Sequence, residues 1–484
     1  MLFNSLKYAL FLPIVVLLFW VSPQKWRVPI LLIASYVFYM AWRPGYILLI
    51  VGLTVFNYWV GNSLAGSKEQ GRRKTWLAIG VAANLLTLAF FKYPYFIDES
   101  LAWMLKPAGI AVGAIPFEII LPLGISFFVF EFIHYLTDIY RGSEPVKSFL
   151  GFSLFASFFP TQIAGPIKRF QDFVPQFLAP EKFKMEFLDE GMSLILMGLF
   201  KKVMVADNLA LFVMGGFSHP ELFTGVDLWL FAYAFAFQIY FDFSGYTDVA
   251  RGSAKLFGYK VPINFNLPYL ATSISDFWHR WHISLSTWLR DYLFIPLGGS
   301  RGSKWLNYRN LVITMTLGGL WHGAAAHFLV WGVFHGIALV IHKEFQGLKK
   351  AFKPLADAVA SPVGKVLSMV LTFHAVCIGW VLFRAETTAA ATTILKRIFF
   401  LEALPEHSLL SMVLPTINYP LVYPSMWLLL PLLVVAHFAM GYANKHIDWR
   451  SYPRPLKAAW VFSLMLIVLT FSPDKSPRFI YFQF

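Results

Sequence analysis

Residues 314–336 read TMTLGGLWHGAAAHFLVWGVFHG. These are 23 residues with no charged side chain, three histidines and enough length to cross a bilayer. Working outward, the rest of the chain repeats the pattern. Of its 484 residues 58% are hydrophobic and only 14% charged, with 50 Phe and 17 Trp, and the mean hydropathy is +0.60. A soluble enzyme of this size carries about 25% charge, so the composition points to an all-α polytopic membrane protein. Apolar runs mark spans near residues 8–22, 28–41, 46–62, 76–91, 116–137, 149–164, 192–212, 226–241, 308–341 (one broken or two short passes), 364–383, 425–443 and 457–472. That amounts to roughly 11 to 13 passes. We expect one membrane-embedded domain over residues 1–484, divided into N-terminal helices (1–115), a catalytic core (116–345), C-terminal helices (346–472) and a tail (473–484).

The first run, YALFLPIVVLLFW, has no small-residue cleavage site, so it reads as an uncleaved span. The net charge of +14 would suit nucleic acid in a soluble protein. Here it reads as basic cytoplasmic loops facing anionic lipid, so membrane lipids and not nucleic acid are the expected contacts. GSKEQGRRKT (66–75), KEFQGLKKAFK (343–353) and NKHIDWRSYPRPLK (444–457) are the basic loops, while residues 92–114 are balanced. The positive-inside rule then turns Met1 and the tail after residue 472 outward. A single cysteine, Cys377, excludes an intrachain disulfide and reads as a small buried hydrophobe.

The longest stretch without a convincing span is 250–308, and long segments of this kind are usually functional. Within it, SISDFWHRWHISLSTWLRDYL (273–293) reads as one helix capped by Ser275 or Asp276. On a helical wheel His279, His282, Ser286 and Arg290 share a face, and Trp278, Trp281, Leu285 and Trp288 the opposite one. Such a helix is expected to lie in the interface with its indoles among the acyl chains. Asp276 and Arg280 form an i,i+4 pair of opposite charge.

In the opening stretch, helical spacing keeps His322, His327 and His335 off a shared face. There is no HExxH arrangement, so no metal site is expected. Gly318, Gly319 and Gly323 surround His322 and weaken the helix there. Irregular backbone at membrane depth is tolerated only against protein or a watery cavity, and an ionisable group in such a place is a functional candidate. His327 and His335 read as structural. Burial would leave the His322 imidazole a neutral base, fit to take a proton from a hydroxyl or thiol. With no nucleophile elbow nearby, direct transfer is simpler than a covalent enzyme intermediate.

Three motifs, FDFSGYTDVARG (241–252), NFNLPYLATSISDFWHRWHISLSTWLRDYLFIPLGG (264–299) and TLGGLWHGAAAHFLVWGVFHG (316–336), resemble the membrane-bound O-acyltransferases, in particular the membrane subunits of alginate O-acetylation. PTQIAGPIKRF (160–170) fits the same pattern. The resemblance implies a ring of tilted helices, with interfacial helices, around a central tunnel. It implies His322 as the catalytic histidine and His282 as a second polar residue of the tunnel. Asn264, Asn266, His279, Arg280, Arg290 and Trp321 are implied as tunnel or donor-binding residues, with Arg301 and Lys304 as further basic candidates for donor phosphates. No bound cofactor is expected. The implied donor substrate is acetyl-CoA or another cytosolic acetyl thioester. The implied partner is an extracytoplasmic SGNH-type acetyltransferase that acts on a polysaccharide, with the chain in a bacterial cytoplasmic membrane. Another envelope polymer (cellulose, peptidoglycan, teichoic acid) or a transporter without acyl chemistry are the alternatives. A transporter would show paired interrupted spans in two halves, and the sequence has none.

The chain ends in SPDKSPRFIYFQF (472–484), where Pro473 and Pro477 stop the last helix. FIYFQF should dock as a plug or, by analogy with envelope acylation systems, present Tyr481 as an acyl relay. Thiol and phenol are both more acidic than an alcohol, so thioester to tyrosyl ester to sugar ester need not run uphill.

Overall fold

The computed structural model describes residues 1–108, 118–179, 181–400, 422–447, 451–471 and 479–480. Among these every regular element is a helix. Five helices are long and apolar enough to span: Pro44–Gly66, Gln70–Lys92, Gly225–Leu256, Ala326–Ala351 and Pro362–Arg384. Leu6–Val21 and Leu428–Ala443 are shorter apolar helices. The expectation of an all-α polytopic protein holds. The chain divides into two compact units, Met1–Leu199 with Tyr246–Ile263, and Phe200–Gly245 with Asn264–Phe484.

In the first unit Ile47–Gly66, Gln70–Lys92 and Ile125–Tyr140 pack against one another, and Gln24–Met40 packs on Phe149–Ser157. Hydrocarbon gives helices no hydrophobic reason to associate, so small residues and interhelical hydrogen bonds do that work. A Cβ on Gly61 would lie 2.6 Å from the Tyr135 ring and one on Gly80 2.3 Å from Leu136. The amides of Asn57 and Asn84 bond to each other in both directions, at 3.2 and 2.7 Å. Lys168 is buried and donates to Glu131 at 2.6 Å and to Thr161 at 2.8 Å, so each buried charge is met.

In the second unit Lys304–His322 and Ala326–Ala351 form a tight hairpin. Its glycines set the approach. A Cβ on Gly319 would sit 2.2 Å from the Phe328 carbonyl oxygen, and one on Gly332 2.4 Å from that of Met315. Gly318 and Gly319 therefore lie inside a continuous helix, and the break falls just after it, at extended Gly323.

Several expectations change, and the span expected over 149–164 is helical only over Phe149–Ser157. Residues 226–241 prove to be the start of a 32-residue helix, Gly225–Leu256. Polar Asp242, Ser244 and Thr247 end the hydropathy signal, yet all three are buried and the helix runs on through them. The single helix over 273–293 is instead three pieces: Ile274–Arg280, Ile283–Leu289 and a π-helical turn Arg290–Phe294. The first cap is Ser273, which accepts from the Asp276 N–H, and not Ser275 or Asp276. Trp278, Trp281 and Trp288 are buried in protein rather than lying among acyl chains. Trp281, for example, packs on Phe265, Phe277 and Trp380. Breaking the helix rotates its two halves independently, so the wheel that put the indoles on one outward face no longer applies.

Candidate active site

The break in 273–293 falls at His282. Its φ of 43° is left-handed, a conformation that a non-glycine residue rarely adopts and that the surroundings must enforce. The enforcement comes from Asn264–Asn266. The Asn264 carbonyl accepts the Ile283 N–H at 3.0 Å, and the Asn266 N–H donates to the Arg280 carbonyl at 2.9 Å. The Asn264 side-chain oxygen takes the Ser284 N–H at 3.2 Å. The chain is thus clamped on both sides of His282. Its ring is fully buried against Phe243, with ring centroids 4.7 Å apart. His282 lies outside the five candidate spans; burial pushes its imidazole down to about 3, so it is neutral at pH 7.

His322 closes the helix Lys304–His322 and is buried. Trp321, Trp331 and Phe383 surround its ring at 5.0, 5.2 and 5.4 Å between centroids. Trp321 also reaches His282, at 6.2 Å. The two histidines, 40 positions apart in sequence, therefore flank one indole. Trp331 leads on to His335 at 4.8 Å, which lies under Gly379 where a Cβ would come within 2.7 Å of its Nε2. His335 is boxed by Phe277, Trp278 and Trp331, a packing position, and His327 is half-buried on the first turn of the next helix.

The remaining sequence-derived residues divide clearly. Asn264 and Trp321 belong to the site. Asn266 is exposed and contributes its backbone. His279 is exposed, with Nδ1 2.6 Å from the Ser275 carbonyl. Arg280 pairs with Asp276 at 2.7 Å, as its spacing predicted. Arg290 is exposed and pairs with Asp291 at 2.8 Å, and Lys304 pairs with Glu344. Tyr481 lies outside the described residues. No cluster of three or more metal-binding side chains occurs among the described residues.

Residues 77–383 match the model of MBOAT, the membrane-bound O-acyltransferase family. The chain belongs to that family. It is 43% identical over 402 residues to the probable alginate O-acetylase AlgI of Pseudomonas aeruginosa, covering 82% of this chain and 75% of that one. It is 36% identical to the peptidoglycan O-acetyltransferase of Helicobacter pylori, over 77% and 73% of the two chains. To the teichoic acid D-alanyltransferase of Bacillus subtilis it is 31% identical, over 56% and 70%. The protein is a multi-pass membrane acyltransferase, and the transporter alternative falls.

Sequence reading missed several neighbours of the site. Asp242 and Asp207, both buried, form an ionic trio with half-buried Lys202, whose Nζ lies 2.6 Å from Asp242 and 2.7 Å from Asp207. Asp242 carried a usable signal, since a carboxylate inside an apolar run is seldom idle. Phe243, Trp331 and Phe383 carried none, because each is one aromatic among many in this chain.

Proposed function

We propose that the protein is an O-acetyltransferase that takes an acetyl group from a cytosolic thioester such as acetyl-CoA and passes it outward for O-acetylation of an exopolysaccharide, alginate being the first choice. The observation that carries this reading is the convergence of His322 and His282 on Trp321 in a buried aromatic setting. His322 acts as general base. It takes the proton of the accepting hydroxyl as that oxygen attacks the thioester carbonyl, the carbon–sulfur bond breaks, and the proton passes to the leaving thiolate. No net proton is consumed, so a neutral imidazole in a dry setting suffices. His282, neutral and rigidly presented, orients the reacting carbonyl or hydroxyl. Arg280, Arg290, Arg301 and Lys304 are the basic groups available to the donor's phosphates.

The relatives support the polymer assignment by name: a probable alginate O-acetylase at 43% identity and a peptidoglycan O-acetyltransferase at 36%. Acetylation of another envelope polymer is the second reading. In both, an extracytoplasmic SGNH-type partner completes the transfer, and the chain works in a bacterial cytoplasmic membrane with its tail on the outer side. Tyr481 is the accepting hydroxyl within the membrane: the acetyl group moves from sulfur to the phenol oxygen, His322 shuttles the proton, and the tyrosyl ester is then delivered to the partner. The experiment is complementation of a deletion strain, with ester-linked acetate measured on the isolated polymer. Wild type restores it. Tyr481→Phe, which deletes one hydroxyl and keeps the ring, is expected to give an unacetylated polymer at normal protein level. A fully acetylated polymer from that strain would remove the relay and leave the tail as a plug.

A further inference from the structure

Near the C-terminus, Ile480 is tied to the ionic trio. Asp242, in the helix Gly225–Leu256, is 2% exposed. One of its oxygens meets Lys202 Nζ at 2.6 Å and the other accepts the backbone N–H of Ile480 at 2.8 Å, across 238 positions of sequence. Lys202 also holds Asp207 at 2.7 Å. Asp242 thus meets an ammonium on one oxygen and a backbone N–H on the other, and a hydrogen bond within such an ionic group is charge-assisted. The side chains follow the backbone in: Phe479 and Ile480 are both buried. Phe479 lies 5.9 Å from Phe243, the ring that packs on His282. The last helix, Arg454–Phe471, packs against the turn Phe200–Ala206 that carries Lys202. The chain thus returns to the place where its anchor sits.

Terminal segments are disordered unless something holds them. Here the holding bond reads backbone, so it fixes the register of the segment whatever side chains follow. The carboxylate of Asp242 is oriented by Lys202, and among the described residues of the tail Ile480 contributes a backbone hydrogen bond and Phe479 and Ile480 two buried apolar side chains. We propose that the Lys202–Asp242 pair is a latch that seats the C-terminal segment beside His282, and that Asp242 is a positioning residue for acyl transfer, acting through the Ile480 N–H. The proposal rests on the reading above that the tail takes part in the reaction, and it is tested separately from it.

Ile480→Pro deletes the donor and leaves every buried charge in place; because it also trims a buried side chain, Ile480→Ala, which trims the side chain and keeps the N–H, is its control and should leave the labelling rate near that of the intact latch. Asp242→Ala deletes the acceptor and strands Lys202 and Asp207, so it serves as the harsher companion. The tail is monitored in the full-length protein through a Phe479→Cys substitution. The native Cys377 is fully buried, which keeps the background of maleimide labelling low. With the latch intact the introduced thiol is shielded. Ile480→Pro is expected to raise its labelling rate about tenfold to hundredfold, the range of one charge-assisted hydrogen bond. The thermal midpoint should not move, and polymer acetylation, measured with Phe479 restored, should fall at least about tenfold. A thiol labelled at the same rate with and without Ile480→Pro overturns the latch, whatever Tyr481→Phe does. An inactive Tyr481→Phe protein in which the thiol stays shielded shows seating and reaction to be separate steps, as proposed.

Discussion

Two breaks in helix bring the two histidines together, and they are made differently. At His322 the helix Lys304–His322 simply stops, and extended Gly323 turns the chain toward Ala326. The glycines that flank the histidine set how closely the hairpin packs, and His322 itself needs no left-handed backbone conformation. At His282 the histidine itself is the break, in a left-handed conformation held by Asn264 and Asn266. One ring can be removed without touching the backbone; the other cannot. In the proposed mechanism the base that turns over a proton sits on the undemanding site, and the ring that is held still sits on the strained one, in keeping with strain at functional positions.

The largest effect should come from His322→Ala. Loss of the base is expected to lower acetyl transfer by about 10² to 10⁴ while leaving membrane insertion and thermal stability close to wild type, because the C-terminal end of a helix tolerates alanine. Transfer rate and melting midpoint, measured on the same preparation, check both halves. Near-normal acetylation would break the assignment outright.

His282→Ala should come next, with turnover falling about 10- to 100-fold, the scale of a small misplacement at a reacting centre. Here stability should fall as well, because alanine gains nothing at φ 43°. His282→Gly sharpens the contrast. Glycine accepts the conformation, so it should recover the melting midpoint and not the rate; recovery of both would make His282 a purely structural residue.

Asn264→Ala is expected to be smaller still in rate. It strands the buried Ser284 N–H, at a cost of about 1 to 3 kcal/mol, and should lower the melting temperature with a loss of turnover of only a few fold. A protein that melts normally would mean that the backbone bond from Ile283 suffices to hold the break.

How much of this was legible in the sequence depends on what each feature required. Helix class and most spans followed from composition, and 364–383 and 457–472 reappear as Pro362–Arg384 and Arg454–Phe471 within three residues at each end. His322 was legible because glycine density and an ionisable ring in an apolar run are both local signals. The fracture of 273–293 was not. It depends on bonds from Asn264 and Asn266, which lie outside the helical window and act largely through their backbone, with one bond from the Asn264 side chain, and periodicity cannot report a residue forced to positive φ. The continuation of Gly225–Leu256 past Asp242 was hidden for a related reason. Hydropathy scores a buried aspartate as an end of span, whereas its partner Lys202, 40 positions earlier, makes it a tolerable interior group.

The smallest effect should be that of His279→Ala, and it tests the comparison most closely. On the helical wheel His279 and His282 share a face, so periodicity does not separate them, and only the family resemblance favours His282. The structure separates them by the break: His279 ends up exposed on the first short helix, its Nδ1 turned back to the Ser275 carbonyl, while three residues on the chain reverses and buries His282. An exposed imidazole satisfied by its own helix has no path to the indole of Trp321, and its removal costs one local hydrogen bond in water, about 1 kcal/mol or less. His279→Ala should therefore leave transfer within about twofold of wild type and the melting midpoint nearly unmoved. Should it instead match His282→Ala in rate while the protein melts normally, the two rings would be acting on one face after all, and the donor would have to approach along the side of the helix Ile274–Arg280 that carries Arg280.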